Sequence, residues 1–142
     1  MTPKEFLRRA RTIDRRVDEA TERVERVRER LEAGRMSHIT GLPRGGAKDW
    51  TETADALIGM EKGVNARIRE MCRLKRMAQE AIDRVEEARL REVLELYYID
   101  GFTWEQVAER MGTKEKPLDL RWVYRLHGRA LQKIIVPAGF DH

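Results

Sequence analysis

Residues 90–135 decide how this chain folds, and they read LREVLELYYIDGFTWEQVAERMGTKEKPLDLRWVYRLHGRALQKII. Apolar side chains recur at helical spacing from Leu90 to Tyr97, which predicts a helix. Asp100 and Gly101 follow it and have the form of a C-terminal glycine stop. The first helix of this stretch therefore ends at a turn near residue 100.

A second helix is predicted directly after that turn. Thr103 is placed to cap it, and Gln106 is placed to reach back to the cap, so TWEQ has the form of a capping box. Gly112 ends this helix, and we expect it to supply the positive backbone angle of a tight turn. Asp119 then caps a third helix, whose inward residues are Val123, Leu126, Ala130, Leu131 and Ile134. Together the pattern predicts a helix-turn-helix.

The third helix carries a segregated charge. Between Leu120 and Val136 every charged side chain is basic, whereas residues 84–119 are net acidic. Arginine bonds the acceptor edge of guanine in a fork and phosphates neutralise further charges, so such a helix suits a DNA major groove. The basic residues recur every four positions along one ridge: Arg121, Arg125, Arg129 and Lys133. We expect DNA contacts from Arg121, Trp122, Tyr124, Arg125, Gly128, Arg129, Lys133 and Thr103.

The run VLELYYIDGFTWEQVAERMG, followed by RWVYRLHGRALQKI, resembles region four of bacterial sigma factors. More closely, it resembles the small phage and prophage regulators of the RinA and ArpU type, which carry a region-four-like helix-turn-helix. The resemblance covers about a third of the chain. It implies a third helix that reads a promoter or operator in double-stranded DNA, and a domain that could contact RNA polymerase. The family has a short turn before its third helix, whereas TKEKPLD here forms a longer one that could change the helix crossing angle.

Two long heptad helices are predicted ahead of this domain. The first begins with Thr2 as cap, Pro3 at the first helical position and Glu5 in the capping-box position, and Gly34 ends it. Its seam is unbroken: Phe6, Ala10, Ile13, Val17, Ala20, Val24, Val27 and Leu31. The second runs from about residue 51 to 85, and its seam is interrupted by Glu61 and Lys75. Stripes this narrow require a partner helix.

The predicted fold class is therefore all-α, with a long antiparallel helical hairpin followed by a C-terminal helix-turn-helix domain. The hairpin, a coiled coil, covers residues 1–85 with a loop at about 34–50. The DNA-binding domain covers residues 86–136, and residues 137–142 form a tail. The seams could pair within one chain or between chains, and we expect a homo-oligomer through the heptad helices.

Composition narrows the class of protein. Charged residues make up 38% and aromatic residues 6% of the 142, which is typical of long exposed helices, and the net charge of +4 is compatible with nucleic acid. Cys72 is the only cysteine, which excludes an intramolecular disulfide and a cysteine-based zinc cage. Without a signal peptide or a membrane-spanning run, a cytoplasmic protein is expected. No catalytic arrangement is visible, so we expect no enzyme, no cofactor and no metal.

The leading interpretation is a DNA-binding transcription regulator of phage or prophage type. One alternative is a phage small terminase subunit, which also joins a helix-turn-helix to oligomerising helices but serves DNA packaging. Another is a helical protein–protein interaction module whose basic helix meets an acidic protein. A ring of many copies would favour packaging, and a monomer or dimer on a defined operator would favour regulation.

Overall fold

The computed structural model describes residues 1–39 and 47–139, and every regular element within those ranges is helical. In chain order the helices are α1 (Pro3–Arg11), α2 (Ile13–Ile39), α3 (Ala47–Asp83), α4 (Ala88–Leu94), α5 (Trp104–Met111) and α6 (Leu120–Lys133). Helix α4 continues directly into a π-helical turn, Glu95–Ile99. The predicted all-α fold class is confirmed. None of the described helices is long and apolar enough to cross a lipid bilayer.

Two compact units divide the chain. The hairpin unit comprises Arg15–Met71, and the helix-turn-helix unit comprises Met1–Asp14 together with Cys72–His142. The sequence instead placed one boundary between residues 85 and 86, with the first residues on the hairpin side. The difference arises because the apolar side chains of α1 belong to the core of the helix-turn-helix unit. Periodicity alone cannot distinguish that packing from a continued coiled-coil seam.

Helices α2 and α3 run antiparallel within the hairpin unit. Arg28 of α2 pairs with Glu61 of α3, with 2.9 Å between Nε and Oε1. Arg16, which comes earlier in α2, lines the same groove as Met71, which comes later in α3. The α2 seam is buried in this unit at Ala20, Val24 and Val27. The predicted antiparallel hairpin therefore forms within one chain.

Helix α1 begins as the sequence predicts but ends early. The Thr2 hydroxyl accepts the Glu5 N–H, and the Glu5 carboxylate accepts the Thr2 N–H, both at 3.2 Å. The predicted capping box is thus confirmed. The expectation of one unbroken helix is wrong, because Thr12 interrupts it between α1 and α2. The Thr12 hydroxyl donates to the Arg9 carbonyl at 3.2 Å, a side-chain bond that competes with regular helical bonding.

The hairpin helices are longer at their loop ends than predicted. Helix α2 continues through Gly34 to Ile39, and α3 begins at Ala47 rather than near residue 51. A glycine in a helix interior costs only about 1 kcal/mol relative to alanine, which a long helix tolerates. Gly34 is therefore not the end of the helix, as the sequence suggested. Of the loop predicted at 34–50, residues 40–46 lie outside the described ranges.

Three predicted helix boundaries in the helix-turn-helix are confirmed. Gly101 has a φ of 76°, the left-handed conformation of a glycine stop. The Thr103 hydroxyl accepts the Gln106 N–H at 3.3 Å, and the Gln106 side chain accepts the Thr103 N–H at 2.9 Å. The Asp119 carboxylate accepts the Arg121 N–H at 2.8 Å, and α6 begins there.

Gly112 ends α5, but its φ is −108°, so the positive backbone angle expected from the sequence is wrong. The following turn folds back over the end of the helix. The Leu118 N–H donates to the Ala108 carbonyl at 2.9 Å, and the Thr113 N–H donates to the Lys116 carbonyl at 3.0 Å. A Cβ at position 112 would lie 2.6 Å from the Lys116 carbonyl oxygen. Glycine is needed here for space.

The helix-turn-helix unit is built around an apolar core. Helix α1, the end of α3, and helices α4, α5 and α6 all contribute to it, as does the π-helical turn. Its largest fully buried side chains include Tyr98, Phe6, Leu7, Ile82, Leu90 and Leu94. Because helices α1, α4 and α5 all pack against α6, the exposed face of α6 has a fixed orientation within the unit.

Candidate nucleic-acid interface

Helix α6 has one buried and one exposed face. Val123, Leu126 and Ala130 are buried in the core of the helix-turn-helix unit. A rotation of about 100° per residue places a different set on the opposite side of the helix. The structure leaves this set, here named the reading face, exposed: Arg121, Arg125, Gly128 and Gln132.

The four basic residues of α6 do not share one surface. A step of four residues advances about 40° beyond a full turn, so three such steps carry Lys133 about 120° around the axis from Arg121. Lys133 lines a pocket together with Glu86 and Glu87, near the start of α4. The sequence grouped these residues in one ridge, whereas the structure places Lys133 beside carboxylates and away from the reading face.

Five of the predicted site residues do come together. They line a surface depression of about 430 Å³, to which Leu126 and Gln132 also contribute: Trp122, Tyr124, Arg125, Gly128 and Arg129. Trp122 is 42% exposed and Tyr124 is 47% exposed. Exposed aromatic rings beside arginines offer stacking and apolar contact in addition to charge.

Like Lys133, the predicted residues Arg121 and Thr103 lie outside this depression. Arg121 is in the first turn of α6, one turn before Arg125 on the reading face, and its side chain is exposed. Thr103 caps α5, and its hydroxyl accepts the Gln106 N–H. Thr103 therefore has a structural role at the start of a different helix.

An aromatic cluster lies along one side of α6 and includes two of its residues; it consists of Tyr97, Tyr98, Trp104, Tyr124 and His127. Trp104 stacks on Tyr97, with ring centroids 3.8 Å apart and planes inclined by 10°. Trp104 also meets Tyr124 at 5.5 Å in an edge-to-face arrangement. Such pairs contribute about 0.5 to 1.5 kcal/mol beyond area burial. The exposed Tyr124 is therefore held in place by a ring from α5.

A hydrogen bond of 2.7 Å joins the Tyr98 hydroxyl to His127 Nε2 and connects the π-helical turn to α6. Burial, followed by the charges of Lys4 and Arg8, lowers the pKa of His127 from 6.5 to about 4. Burial is also the main cause that raises the pKa of Tyr98 to about 12. Both side chains are therefore neutral at pH 7.

The depressed pKa of His127 predicts a loss of stability in mild acid. Between pH 6.5 and about 4 the unfolded chain binds a proton that the folded chain does not, so stability falls as pH falls through this window. Because the imidazole ring is partly exposed, solvent screening reduces the expected loss in the free energy of unfolding to about 1 to 2 kcal/mol. Urea unfolding of wild type and His127→Gln at pH 7.5 and pH 4.5 measures this loss of stability. Equal losses in both proteins would show that His127 is not the cause.

Arg11 attaches helix α1 to the aromatic cluster. Its guanidinium carbon lies 4.2 Å from the ring centroid of Tyr97. Its Nη2 donates to the Phe102 carbonyl at 3.1 Å, across 91 positions of sequence. This contact could not be predicted from the sequence, because Arg11 resembles the other charged residues that flank the heptad seam. The spacing of Lys4, Arg8 and Arg11 was a signal, but it did not indicate which helix they would face.

Part of the chain matches a known protein family. The model of a family described as "Protein of unknown function (DUF1492)" matches residues 30–118. This range includes α3, α4 and α5 and ends before α6 begins. No curated protein and no solved structure matches the chain.

Proposed function

The chain belongs to the DUF1492 family of unknown function, and we propose that this member is a sequence-specific DNA-binding protein that regulates transcription. The observation that carries the proposal is the exposed reading face of α6, with Arg121 and Arg125 one turn apart and aromatic rings beside them. B-DNA has a major groove about 12 Å wide, which admits a helix of this kind. Helices α5 and α6 then act as the two helices of the motif.

The residues of α6 have different roles in this proposal. Arg121 and Arg125 lie in the first turns, which most often meet base edges in a helix-turn-helix. Arg129 lies farther along the helix and toward one flank. In the proposed complex the phosphate backbone of DNA runs along this flank. Tyr124 and Trp122 offer apolar contact to bases or to sugar. Sequence preference therefore depends mainly on the two arginines of the first turns.

Replacing Arg125 with alanine is expected to weaken binding to a preferred duplex by about 1 to 3 kcal/mol and to relax the sequence preference, because a fork to guanine is lost. Lys133→Ala is the matched control, since it removes the same charge from the same helix beside Glu86 and Glu87. Its effect should be smaller and equal for all sequences. Fluorescence anisotropy with selected and random duplexes, each at two salt concentrations, measures both variants.

Two results would contradict this function. If wild-type protein binds neither duplex at low salt, the basic helix serves another partner, and the protein–protein interaction module replaces the proposal. If Arg125→Ala and Lys133→Ala weaken both duplexes to the same extent, binding is electrostatic and without sequence preference. Selection of bound fragments from genomic DNA supplies the preferred duplex.

The resemblance to regulators of the RinA and ArpU type extends this proposal to a phage or prophage setting. In that setting the helix-turn-helix would bind a promoter or operator, and RNA polymerase would be a further partner. A protein that binds bacterial DNA acts where the DNA is, so we place it in the cytoplasm. These statements depend on the likeness of residues 93–112 and 121–134 to that family.

We further propose that the hairpin unit forms a homo-oligomer. Its α3 seam is only partly covered, and Ile58 and Met60 are 42% and 55% exposed. A groove of about 660 Å³ between α2 and α3 has an apolar base and a rim of both charge signs, including Arg16, Glu19, Arg67 and Glu70. Because the rim carries both signs of charge, the same rim on a second copy offers oppositely charged partners. Sedimentation at several protein concentrations distinguishes a monomer from a dimer or a ring.

A further inference from the structure

We propose that helix α1 extends the DNA interface, with Lys4 and Arg8 contacting the phosphates of one strand beside α6. This inference rests on the proposed function, because it names further contacts of the same surface. In the sequence, α1 looks like the start of a coiled coil. In the structure it belongs to the helix-turn-helix unit.

The geometry of α1 gives it a basic flank. Its buried face consists of Phe6, Leu7 and Ala10. A rotation of about 100° per residue places three basic side chains on one flank of that face, within about 60° of each other. These three residues are here named the α1 basic row: Lys4, Arg8 and Arg11.

The contacts of Arg11 show along which side of α6 the α1 basic row lies. Its guanidinium covers Tyr97, Trp104 stacks on Tyr97, and Trp104 meets Tyr124. Tyr124 lies on α6, beside the reading face and exposed to solvent. The row therefore runs along the side of α6 that carries Tyr124.

Two further observations place Lys4 and Arg8 next to α6. Helix α1 packs directly against α6 as well as against the π-helical turn. After burial, the charges of Lys4 and Arg8 are the causes that lower the pKa of His127, which lies one turn after Tyr124. Both side chains are exposed, and neither forms a salt bridge within residues 1–39 and 47–139. Their charges are therefore available to an outside partner.

The position of the α1 basic row beside α6 favours contacts with DNA phosphates over contacts with base edges. A helix in the major groove has one strand's backbone along each side, so a cation beside the helix reaches phosphate oxygens. Arg129 lies on the opposite flank of α6 from Tyr124, by a rotation of about 140°. Phosphates on both sides of the groove would then be contacted, by Arg129 on one strand and by Lys4 and Arg8 on the other.

The test compares the wild-type chain with the double variant Lys4→Gln/Arg8→Gln, which removes the charges and keeps two methylene groups of each side chain. Arg9→Gln is the matched control, because Arg9 is exposed on the same helix but on the other flank. We expect the double variant to bind random and selected duplexes more weakly by similar factors, roughly tenfold or more. The slope of log affinity against log salt should fall by about 1.8, at about 0.9 for each phosphate contact. Arg9→Gln should change the slope little.

The possible outcomes separate a failure of the α1 contacts from a failure of the proposed function. If wild type binds DNA and the double variant keeps the wild-type slope, the α1 contacts are refuted while the proposed function stands. An equal fall for Arg9→Gln would also refute them, since total charge rather than the row would be responsible. If wild type binds no duplex, both proposals fail. The His127 pKa, followed by NMR, should rise in the double variant; an unchanged value would contradict the placement of the row beside α6.

Discussion

Replacing Phe6 with alanine should destabilise the helix-turn-helix unit by about 3 to 5 kcal/mol, although the sequence places this residue in a coiled coil. The Phe6 ring is 0% exposed and belongs to the same core as Tyr98 and Val123. Its removal leaves a cavity that the surrounding helices can only partly fill. Chemical denaturation gives the total loss of stability, and amide hydrogen exchange in α6 shows whether the loss reaches that helix.

The matched control for this result is Val27→Ala. Val27 is 5% exposed and occupies the same kind of seam position, but it lies in the hairpin unit. Truncation of the Val27 side chain should speed amide hydrogen exchange mainly in α2 and α3. If Phe6→Ala left exchange in α6 unchanged and affected only the hairpin helices, α1 would belong to the hairpin, as its sequence pattern suggested.

Replacing Gly112 with alanine should destabilise the same unit by about 3 kcal/mol, at the upper end of the usual range for overpacking. The added Cβ would lie 2.6 Å from the Lys116 carbonyl oxygen and 2.8 Å from the Leu118 nitrogen. Both are backbone atoms, so the turn itself must move. That movement would also strain the hydrogen bond from Leu118 to Ala108, which closes the turn before α6.

Gly128→Ala provides the contrasting control, measured by the same thermal or urea unfolding. No atom lies within 4 Å of a Cβ at this position, and Gly128 is inside α6. Alanine should therefore stabilise the unit by about 0.5 to 1 kcal/mol. If Gly112→Ala were as stable as wild type, the turn after α5 would have to be more adaptable than its hydrogen bonds indicate.

Local signals in the sequence predicted the helix boundaries well where a side chain bonds a nearby backbone group. The capping boxes at Thr2 and Thr103, the cap at Asp119 and the stop at Gly101 are present as predicted. These features involve residues within a few positions of each other, so the sequence contains all the atoms that take part. The all-α class follows from the same signals together with helical periodicity.

Predictions were wrong where the answer depended on neighbours from elsewhere in the chain. Gly112 was expected to need a positive φ, but the need for glycine comes from the backbone of residues 116–118 folding over it. Lys133 was grouped in one ridge with Arg121, Arg125 and Arg129, and only the fold shows it beside Glu86 and Glu87. Periodicity also gave no indication that Thr12 would divide the first long helix.

Local sequence patterns were enough to predict most of the helices of this protein, most of their caps, and the concentration of positive charge in α6. The packing partner of α1 depended on the complete fold. A stripe of apolar residues specifies that a helix must be covered, but not by what. Helix α1 joins the helix-turn-helix core, and Arg11 reaches Tyr97 and Phe102 across most of the chain. Burial of apolar surface is non-directional, so only the complete fold selects this partner and places a second row of positive charge beside α6.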